Sequence, residues 1–162
     1  MDFALDGYAG MQQFTRGDRM DKRILGIDYG DKRTGIAVSD PTGLLAQGIT
    51  TVTAGGDRKL ISLLLPYIEQ YDVGKIVLGD PINMDGTHGF RSEKAHAFAE
   101  RLCAETGLEV VMMDERCTTM AASAYMNLTD TRGKKRKVVI DTASAQIILQ
   151  NYLDRERAKN RD

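Results

Sequence analysis

Residues 24–40, which read ILGIDYGDKRTGIAVSD, contain two apolar runs on either side of a short polar turn. Ile24–Tyr29 predicts a buried strand and Thr34–Ser39 a second one, with the turn at Gly30–Arg33 between them. Gly48–Thr53 predicts a third strand. The connections are too short to hold a crossover helix, so we expect these three strands to form an antiparallel meander.

After the third strand, the pattern changes to helices that alternate with short apolar runs. A helical pattern over residues 60–71 has Pro66 inside it, which should bend or interrupt the helix. Right-handed crossovers would place the fourth and fifth strands parallel to the first, which gives an α/β fold with a mixed five-stranded sheet and helices on both faces. The remaining predicted elements are a strand at Lys75–Gly79, a helix that carries Ala95–Cys103 and stops near Gly107, a strand at Glu109–Met113, a helix at Thr118–Leu128 and a last helix at roughly Val138–Arg157.

Length and composition indicate one compact domain. The chain has 162 residues, of which 42% are hydrophobic and 28% charged, so it can bury a core without disulfides. We expect residues 1–22 to be a poorly ordered extension, residues 23–157 the domain and residues 158–162 a short tail. No segment resembles a secretory signal or a membrane span, so we expect a cytoplasmic protein without membrane contact. The two cysteines and two histidines lack metal-ligand spacing, and the sequence therefore does not predict a zinc site.

The first, fourth and fifth predicted strands each end at an acid. These acids are Asp28, Asp80 and the pair Asp114 and Glu115. Because ligands bind at the carboxyl ends of strands in open α/β sheets, we expect the acids to converge. Converging carboxylates repel one another, and a hard divalent cation such as Mg²⁺ or Mn²⁺ would remove that conflict. Asp141 stands at the predicted start of the last helix, where an acid most often stabilises the positive end of the helix dipole.

Basic residues are the second feature that bears on function. The formal net charge is −1, so a nucleic acid would have to be bound by a local basic patch. The longest basic run, Arg132–Lys137, forms either a solvated loop or a set of phosphate contacts, and the sequence supports both equally. In the loop after the fourth strand, Asn83 either forms the turn or contacts a sugar or phosphate.

Four ordered blocks of this sequence resemble the YqgF family, also called RuvX-like, whose members are described as Holliday junction resolvases and as pre-16S ribosomal RNA nucleases. The match covers nearly all of residues 23–157. It implies a ribonuclease H-like fold, which agrees with the strand order predicted above. The blocks are ILGIDYGDKRTGIAVSD at 24–40, IVLGDPINMDGT at 76–87, DERCTT at 114–119 and KKRKVVIDTASAQIILQNYLD at 134–154.

The resemblance implies a metal-dependent nuclease that uses Asp28, Glu115 and Asp141 as catalytic residues and as ligands of Mg²⁺ or Mn²⁺. In a two-metal mechanism of phosphodiester hydrolysis, Asp28 would bridge the ions and the other two acids would each hold one. Asp80 and Asp114 are candidate further ligands. Phosphate contacts are expected from a set of basic side chains, which are Lys32, Arg33, Arg116, Lys134, Lys135, Arg136 and Lys137.

Two residues depart from the family pattern. Relatives usually carry an apolar residue at the position of Asp80, whose carboxylate either joins the metal site or caps the loop before Pro81. We favour the cap, because relatives manage without an acid there. Cys117 stands where a larger apolar or aromatic residue is common, and we interpret it as a variation in packing.

The resemblance places the activity in the maturation of the 5′ end of the small-subunit ribosomal RNA precursor. One alternative is a DNA junction resolvase, which would act as a two-fold dimer on a symmetric junction. Another is a nucleic-acid binding module without catalysis in transcription or ribosome complexes. Retention of all three acids favours an enzyme, and a nucleic acid is the expected partner of a monomer or homodimer.

Overall fold

The computed structural model describes residues 22–115 and 134–161, with the side chains of the last helix described from residue 142 onward. Within those ranges, no helix is both long and apolar enough to cross a membrane. The predicted helix at Thr118–Leu128 lies outside them. The described elements are, in chain order, β1 (Arg23–Asp28), β2 (Arg33–Ser39), β3 (Ala46–Thr53), α1 (Asp57–Gln70), β4 (Val73–Asp80), α2 (Phe90–Thr106), β5 (Glu109–Asp114) and α3 (Lys134–Asn160).

The five strands form one mixed sheet in the order β3-β2-β1-β4-β5. Short turns join β1, β2 and β3, and these strands pair antiparallel. A helix precedes both β4 and β5, and it returns the chain so that β4 pairs parallel with β1 and β5 parallel with β4. The predicted fold class and the predicted strand directions are therefore confirmed.

Alternation along the strands gives the sheet two apolar faces. Ile76 and Leu78 of β4 belong to a core formed with α1 and α2, in which Phe98 is fully buried. Val77, which lies between them, belongs to a second core formed with α3 around Leu149. Helices therefore cover both faces of the sheet, as predicted, and a buried strand of this kind needs the continuous apolar run seen in β4.

Small residues allow α3 to lie directly on the sheet. A Cβ atom at Gly26 of β1 would be 2.7 Å from the Cβ of Leu149, and one at Gly48 of β3 would be 2.5 Å from the Cγ2 of Thr142. Both distances are too short for a side chain, so α3 packs against bare backbone at these two positions. This close contact fixes α3 relative to β1 and β3.

Three local predictions need correction or comment. The last helix begins at Lys134 rather than near Val138, so the last four residues of the basic run are helical rather than part of a loop. Lys and Arg are good helix formers, and this intrinsic preference acts where the apolar period is missing. As a result, Asp141 lies about two turns inside α3 and does not open it. Pro66 is exposed and does not interrupt α1, which is continuous over Asp57–Gln70.

Candidate active site at the carboxyl ends of β1, β4 and β5

Asp28 and Glu115 lie together at the edge of the sheet where the parallel strands end. Asp28 is the last residue of β1, and Glu115 follows β5 directly. A hydrogen bond joins their two side chains. The backbone N–H of Glu115 donates to the backbone carbonyl of Asp80 over 3.2 Å, which holds this residue beside the end of β4.

Gly79 and Asp80 face opposite sides of β4, because consecutive residues of a strand alternate between its faces. A Cβ atom at Gly79 would lie 2.4 Å from Oε2 of Glu115, so this residue faces the two acids and leaves room for them. Asp80 faces α2 instead, where Ser92 Oγ donates to its Oδ1 over 2.6 Å. Its carboxylate contacts side chains of α2 and the loop before it, an arrangement that differs from both predicted roles.

The register of the sheet places the first part of α3 at the level of Asp28. Asp28 pairs with Gly35 on β2, and Gly35 pairs with Thr51 on β3. The Oγ1 atom of Thr51 lies 3.0 Å from Oγ1 of Thr142. The backbone of Asp141, which precedes Thr142 in α3, therefore lies at the same end of the sheet as Asp28, while its side chain lies outside the described part of the chain.

Glu115 has an unusual electrostatic environment. Burial, followed by the charge of Asp80, raises the pKa of Glu115 to about 7. Asp114 adds to the rise, whereas the positive charge of Arg91 and the hydrogen bond with Asp28 oppose it. Near neutral pH the two hydrogen-bonded carboxyl groups can therefore share a proton that an ordinary surface pair would have lost.

This arrangement suits a hard divalent cation. Two carboxyl groups held in contact repel each other when both are ionised, and a cation between them would replace the shared proton. The donor atoms are carboxylate oxygens, which Mg²⁺ and Mn²⁺ prefer. Asp28 and Glu115 therefore have the chemistry of a metal site, and the backbone of Asp141 lies at the same end of the sheet.

Comparison with known proteins identifies the family. The family described as "RuvX: Holliday junction resolvase" matches residues 22–155. A protein of Clostridioides difficile named "Putative pre-16S rRNA nuclease" is 48% identical over 135 residues, which cover 83% of this chain and 96% of that protein. A Bacillus cereus protein of the same name is 46% identical over 136 residues, covering 83% of this chain and 99% of its own length.

This chain belongs to the RuvX family. The resemblance predicted from four sequence blocks is thereby confirmed. Among solved structures, RuvC of T. thermophilus in complex with a Holliday junction has a TM-score of 0.52 at 11% identity, covering 83% of this chain and 96% of RuvC. The Fowlpox virus resolvase in complex with junction DNA also has a TM-score of 0.52, at 12% identity, covering 82% and 97%. At such low identity these two structures bear on the fold alone.

In this RuvX-family chain, the loop after β1 is held tightly beside the two acids. The ring of Tyr29 stacks on Phe98 with centroids 4.5 Å apart, and its hydroxyl donates to Asp57 over 2.6 Å. A Cβ atom at Gly30 would be 2.2 Å from the carbonyl oxygen of Arg33, so only glycine fits this turn. These contacts explain why a tyrosine and a glycine follow Asp28 directly, since they fix the end of β1.

The predicted nucleic-acid contacts have different structural settings. Lys32 is exposed in the turn after Asp28, and Arg33 begins β2. Asn83 forms a turn, because its Nδ2 donates to Thr87 Oγ1 over 3.0 Å and its backbone N–H to the Thr87 carbonyl over 2.9 Å. This supports the turn-forming role for Asn83. Lys134, Lys135, Arg136 and Lys137 lie in α3, but their side chains and the whole of Arg116 lie outside the described residues.

Sequence reasoning missed two features of this region. Arg91, in the first turn of α2, is close enough for its charge to affect Glu115. His88 and His96 both lie close to Asp80, with His96 Nε2 only 2.8 Å from Asp80 Oδ2. The signal was weak in the sequence, because the two histidines are on a loop and a helix and their separation resembles no ligand motif.

Proposed function

We propose that this chain is a metal-dependent endonuclease that hydrolyses phosphodiester bonds at the 5′ end of pre-16S ribosomal RNA. The observation that carries the proposal is the pair of hydrogen-bonded carboxyl groups, Asp28 and Glu115, at the carboxyl ends of the strands. The name of the C. difficile relative, 48% identical over most of both chains, supports the substrate. Such a substrate places the protein in the cytoplasm.

Three acids would hold the metal ions in this proposal. Asp28, Glu115 and Asp141 would bind two Mg²⁺ or Mn²⁺ ions. Bound ions of this kind supply positive charge that makes an attacking water more acidic and stabilises the leaving oxygen of the phosphodiester. Asp114, which is exposed and next to Glu115, acts as an additional charge rather than as a buried partner.

The chain positions these acids through rigid neighbours. Asp28 is paired with Gly35 of β2, and the N–H of Glu115 is bonded to Asp80, so neither acid belongs to a free loop. Gly79 keeps the space beside Glu115 open. Preorganised ligands lower the cost of assembling the site when the substrate arrives.

Basic side chains around these acids would bind the phosphates of the strand. Arg91 is exposed, and its charge reaches Glu115, so it is suited to a phosphate that approaches the metal ions. Lys32 and Arg33 lie just after Asp28. Further contacts with phosphates of the bound strand would come from Arg116, Lys134, Lys135, Arg136 and Lys137. Contacts of this type position a nucleic acid without reading its sequence.

A cleavage assay with three labelled substrates tests the proposal. Precursor 16S RNA, an unrelated single-stranded RNA and a four-way DNA junction are each incubated with the protein in Mg²⁺, Mn²⁺ or EDTA. We expect cleavage of the precursor near the mature 5′ end, with no cleavage in EDTA. Cleavage of the precursor in EDTA would contradict the metal dependence, and binding of all substrates without cleavage would indicate a non-catalytic factor.

The DNA junction is the substrate of the second candidate function. The family description, which names Holliday junction resolvases, favours this candidate. Symmetric cleavage of a four-way junction requires two sites related by a two-fold axis, so a resolvase should be a homodimer. Paired symmetric cuts in the junction by a dimer, together with an intact RNA precursor, would replace the proposed function with this one. Cleavage of the precursor by either a monomer or a dimer supports the ribonuclease.

A further inference from the structure

A second cluster of metal-ligating side chains lies on the other face of β4. It consists of Asp80 from the end of the strand, His88 from the following loop and His96 from α2. One potential ligand atom of each residue lies within 4.8 Å of those of the other two. Asp80 Oδ2 is 2.8 Å from His96 Nε2 and 3.7 Å from His88 Nδ1.

Hydrogen bonds already orient the three side chains. A carboxylate only accepts, so Ser92 Oγ and His96 Nε2 both donate to Asp80. The hydroxyl of Ser92 has a single proton, which goes to Asp80, so His88 Nδ1 donates to Ser92 Oγ over 2.7 Å. Ser92 is completely buried and thus fixes Oδ1 of Asp80, which leaves Oδ2 directed at the two imidazole rings. Such support of a ligand by a neighbouring residue is typical of metal sites.

The donor set indicates the kind of ion. Two imidazole nitrogens and one carboxylate oxygen suit Zn²⁺ and similar transition metals, whereas Mg²⁺ prefers oxygen ligands alone. In a tetrahedral zinc site with bonds of about 2.0–2.1 Å, two ligand atoms are about 3.3 Å apart. The distances of 2.8 Å and 3.7 Å from Asp80 Oδ2 lie on either side of that value, and the ligand atoms of the two histidines lie within 4.8 Å of each other. Rotation of the two half-exposed imidazole side chains would bring all three atoms to the spacing of a zinc site.

The cluster is accessible to an ion. The side chains of His88 and His96 are 54% and 46% exposed, whereas that of Asp80 is 5% exposed. The two histidines line an open groove of about 490 Å³, whose walls also include Ser92, Glu93 and Glu100. An ion can therefore enter from solvent, bind all three side chains and complete its coordination with water. It would replace the protons that His96 Nε2 and His88 Nδ1 donate, and each imidazole would keep its remaining proton on the other ring nitrogen.

We propose that Asp80, His88 and His96 form a binding site for Zn²⁺ or a similar divalent transition metal, separate from the carboxylate site on the other face of β4. An ion there would tie the loop and α2 to the end of the strand. Because the ion binds only the folded chain, it would also raise the melting temperature. The proposal stands independently of the nuclease function, since it uses neither Asp28 nor Glu115.

The test is a zinc titration that follows both histidines directly. Because the chain has only two histidines, two-dimensional NMR of the imidazole nitrogens reports on His88 and His96 without interference. Both cysteines are first replaced by serine, because thiolates would compete for zinc. We expect one equivalent of Zn²⁺ to shift the signals of both rings and Mg²⁺ at the same concentration to shift neither. Calorimetry of the same sample gives the affinity and the number of sites.

Variants decide whether the three side chains form the site. Asp80→Asn and His96→Gln should each weaken zinc binding by at least about tenfold, as expected when a metal site loses a ligand. Glu105→Gln, an exposed acid at the far end of α2, is the matched control and should leave the affinity unchanged. His96→Gln is a half-exposed position, so it keeps the test valid if Asp80→Asn does not fold.

Two results would overturn the proposal. Equal zinc affinity in wild type and in both variants would mean that zinc binds elsewhere on the surface. A shift of only one imidazole at one equivalent of zinc would mean that the two rings do not share an ion. A rise in melting temperature that occurs with Zn²⁺ in the Glu105→Gln protein, but not in His96→Gln, would support it.

Discussion

The two faces of the end of β4 hold two different kinds of polar site. On the face that α3 covers, Gly79 leaves room for Glu115 and Asp28, and the donor atoms are all carboxylate oxygens. On the face that α2 covers, Asp80 meets two imidazole rings and a buried serine. Neighbouring residues of one strand therefore serve two sites, because strand side chains alternate between faces.

Position at a strand end does not by itself assign an acid to a site. Asp80 is itself the last residue of β4 and Glu115 only follows β5, yet Glu115 is the acid that reaches Asp28. Asp80 still affects that site, because its charge acts through the strand and raises the pKa of Glu115. The side chains of the two sites therefore contact different neighbours, but the charge of Asp80 still affects the pKa of Glu115.

Loss of an acid on the carboxylate face should affect cleavage more strongly than any other substitution proposed below. Asp28→Asn should reduce metal-dependent cleavage by roughly 10³-fold or more, because the amide keeps the shape and loses the charge that holds the ions. Cleavage rates and a thermal melt measure activity and folding separately. The control is Asp72→Asn, an exposed acid just before the other end of β4, which should cleave normally. Normal cleavage by a folded Asp28→Asn protein would rule out the proposed site.

Gly79→Ala tests whether the space on this face matters. The new Cβ would lie 2.4 Å from Glu115 Oε2 and 2.6 Å from Ile148 Cδ1, and both atoms are ends of flexible side chains that can move. We therefore expect a loss of stability of about 1 kcal/mol. Activity should fall further, by about 10–100-fold, because Glu115 is displaced.

Gly55→Ala is the matched control for this substitution. A Cβ atom there has no neighbour within 4 Å, so both activity and stability should remain near those of wild type. If Gly79→Ala loses stability but keeps full activity, then Glu115 does not need its present position for cleavage.

The third prediction concerns the pH dependence of stability without metal. The pKa of Glu115 rises from 4.5 to about 7 on folding, so the folded state holds a proton that the unfolded state has lost between these values. The stabilisation by this group is complete at low pH and is lost as pH rises through about 7. Its size is on the order of 3 kcal/mol.

Urea denaturation in EDTA at pH 5 and pH 8, with wild type compared to Glu115→Gln, measures the stabilisation that protonated Glu115 provides. As the pH rises from 5 to 8, the free energy of unfolding of wild type should fall relative to that of Glu115→Gln. Parallel pH profiles for the two proteins would contradict the proposed protonation of Glu115. Added Mg²⁺ should restore stability to wild type at pH 8 and have less effect on the variant.

Asp80→Leu tests whether the two faces of β4 bind metal independently, and only a minor change in the Mg²⁺ requirement is expected. Asp80→Leu should change the Mg²⁺ concentration for half-maximal cleavage by less than about threefold, because Asp80 acts on Glu115 through charge at a distance and not as a ligand. The same substitution should weaken zinc binding at the α2 face by at least about tenfold. A large rise in the Mg²⁺ requirement would mean that Asp80 belongs to the carboxylate site after all.

Much of the fold followed from the sequence because the relevant signals are local. The short connections around β1, β2 and β3 allow only antiparallel pairing, and the apolar run of β4 is long enough for a strand covered on both faces. The start of α3 was wrong because Lys134–Lys137 has no apolar period to reveal a helix. In that segment, intrinsic helix propensity is the stronger effect, and a pattern of hydrophobic residues does not report it.

The sites were harder to predict because they depend on contacts between distant segments. Alternation required that either Gly79 or Asp80 face Asp28, but the sequence alone did not indicate which one. The structure resolves this through the contact of Asp80 with Ser92. The grouping of His88 and His96 around Asp80 was missed because a loop residue and a helix residue meet there only when α2 packs on the sheet.

The glycine contacts under α3 have a consequence for the order in which the protein is made. Leu149 packs on Gly26 and Thr142 packs on Gly48. Both of these α3 residues are synthesised more than ninety residues after Gly48. Until then, one face of the sheet lacks its cover and Asp28 lacks the helix that carries Asp141. A ribosome that has translated only β1 to β5 therefore holds a chain without a complete site. The enzyme we propose would become competent to cut RNA only once translation has passed α3.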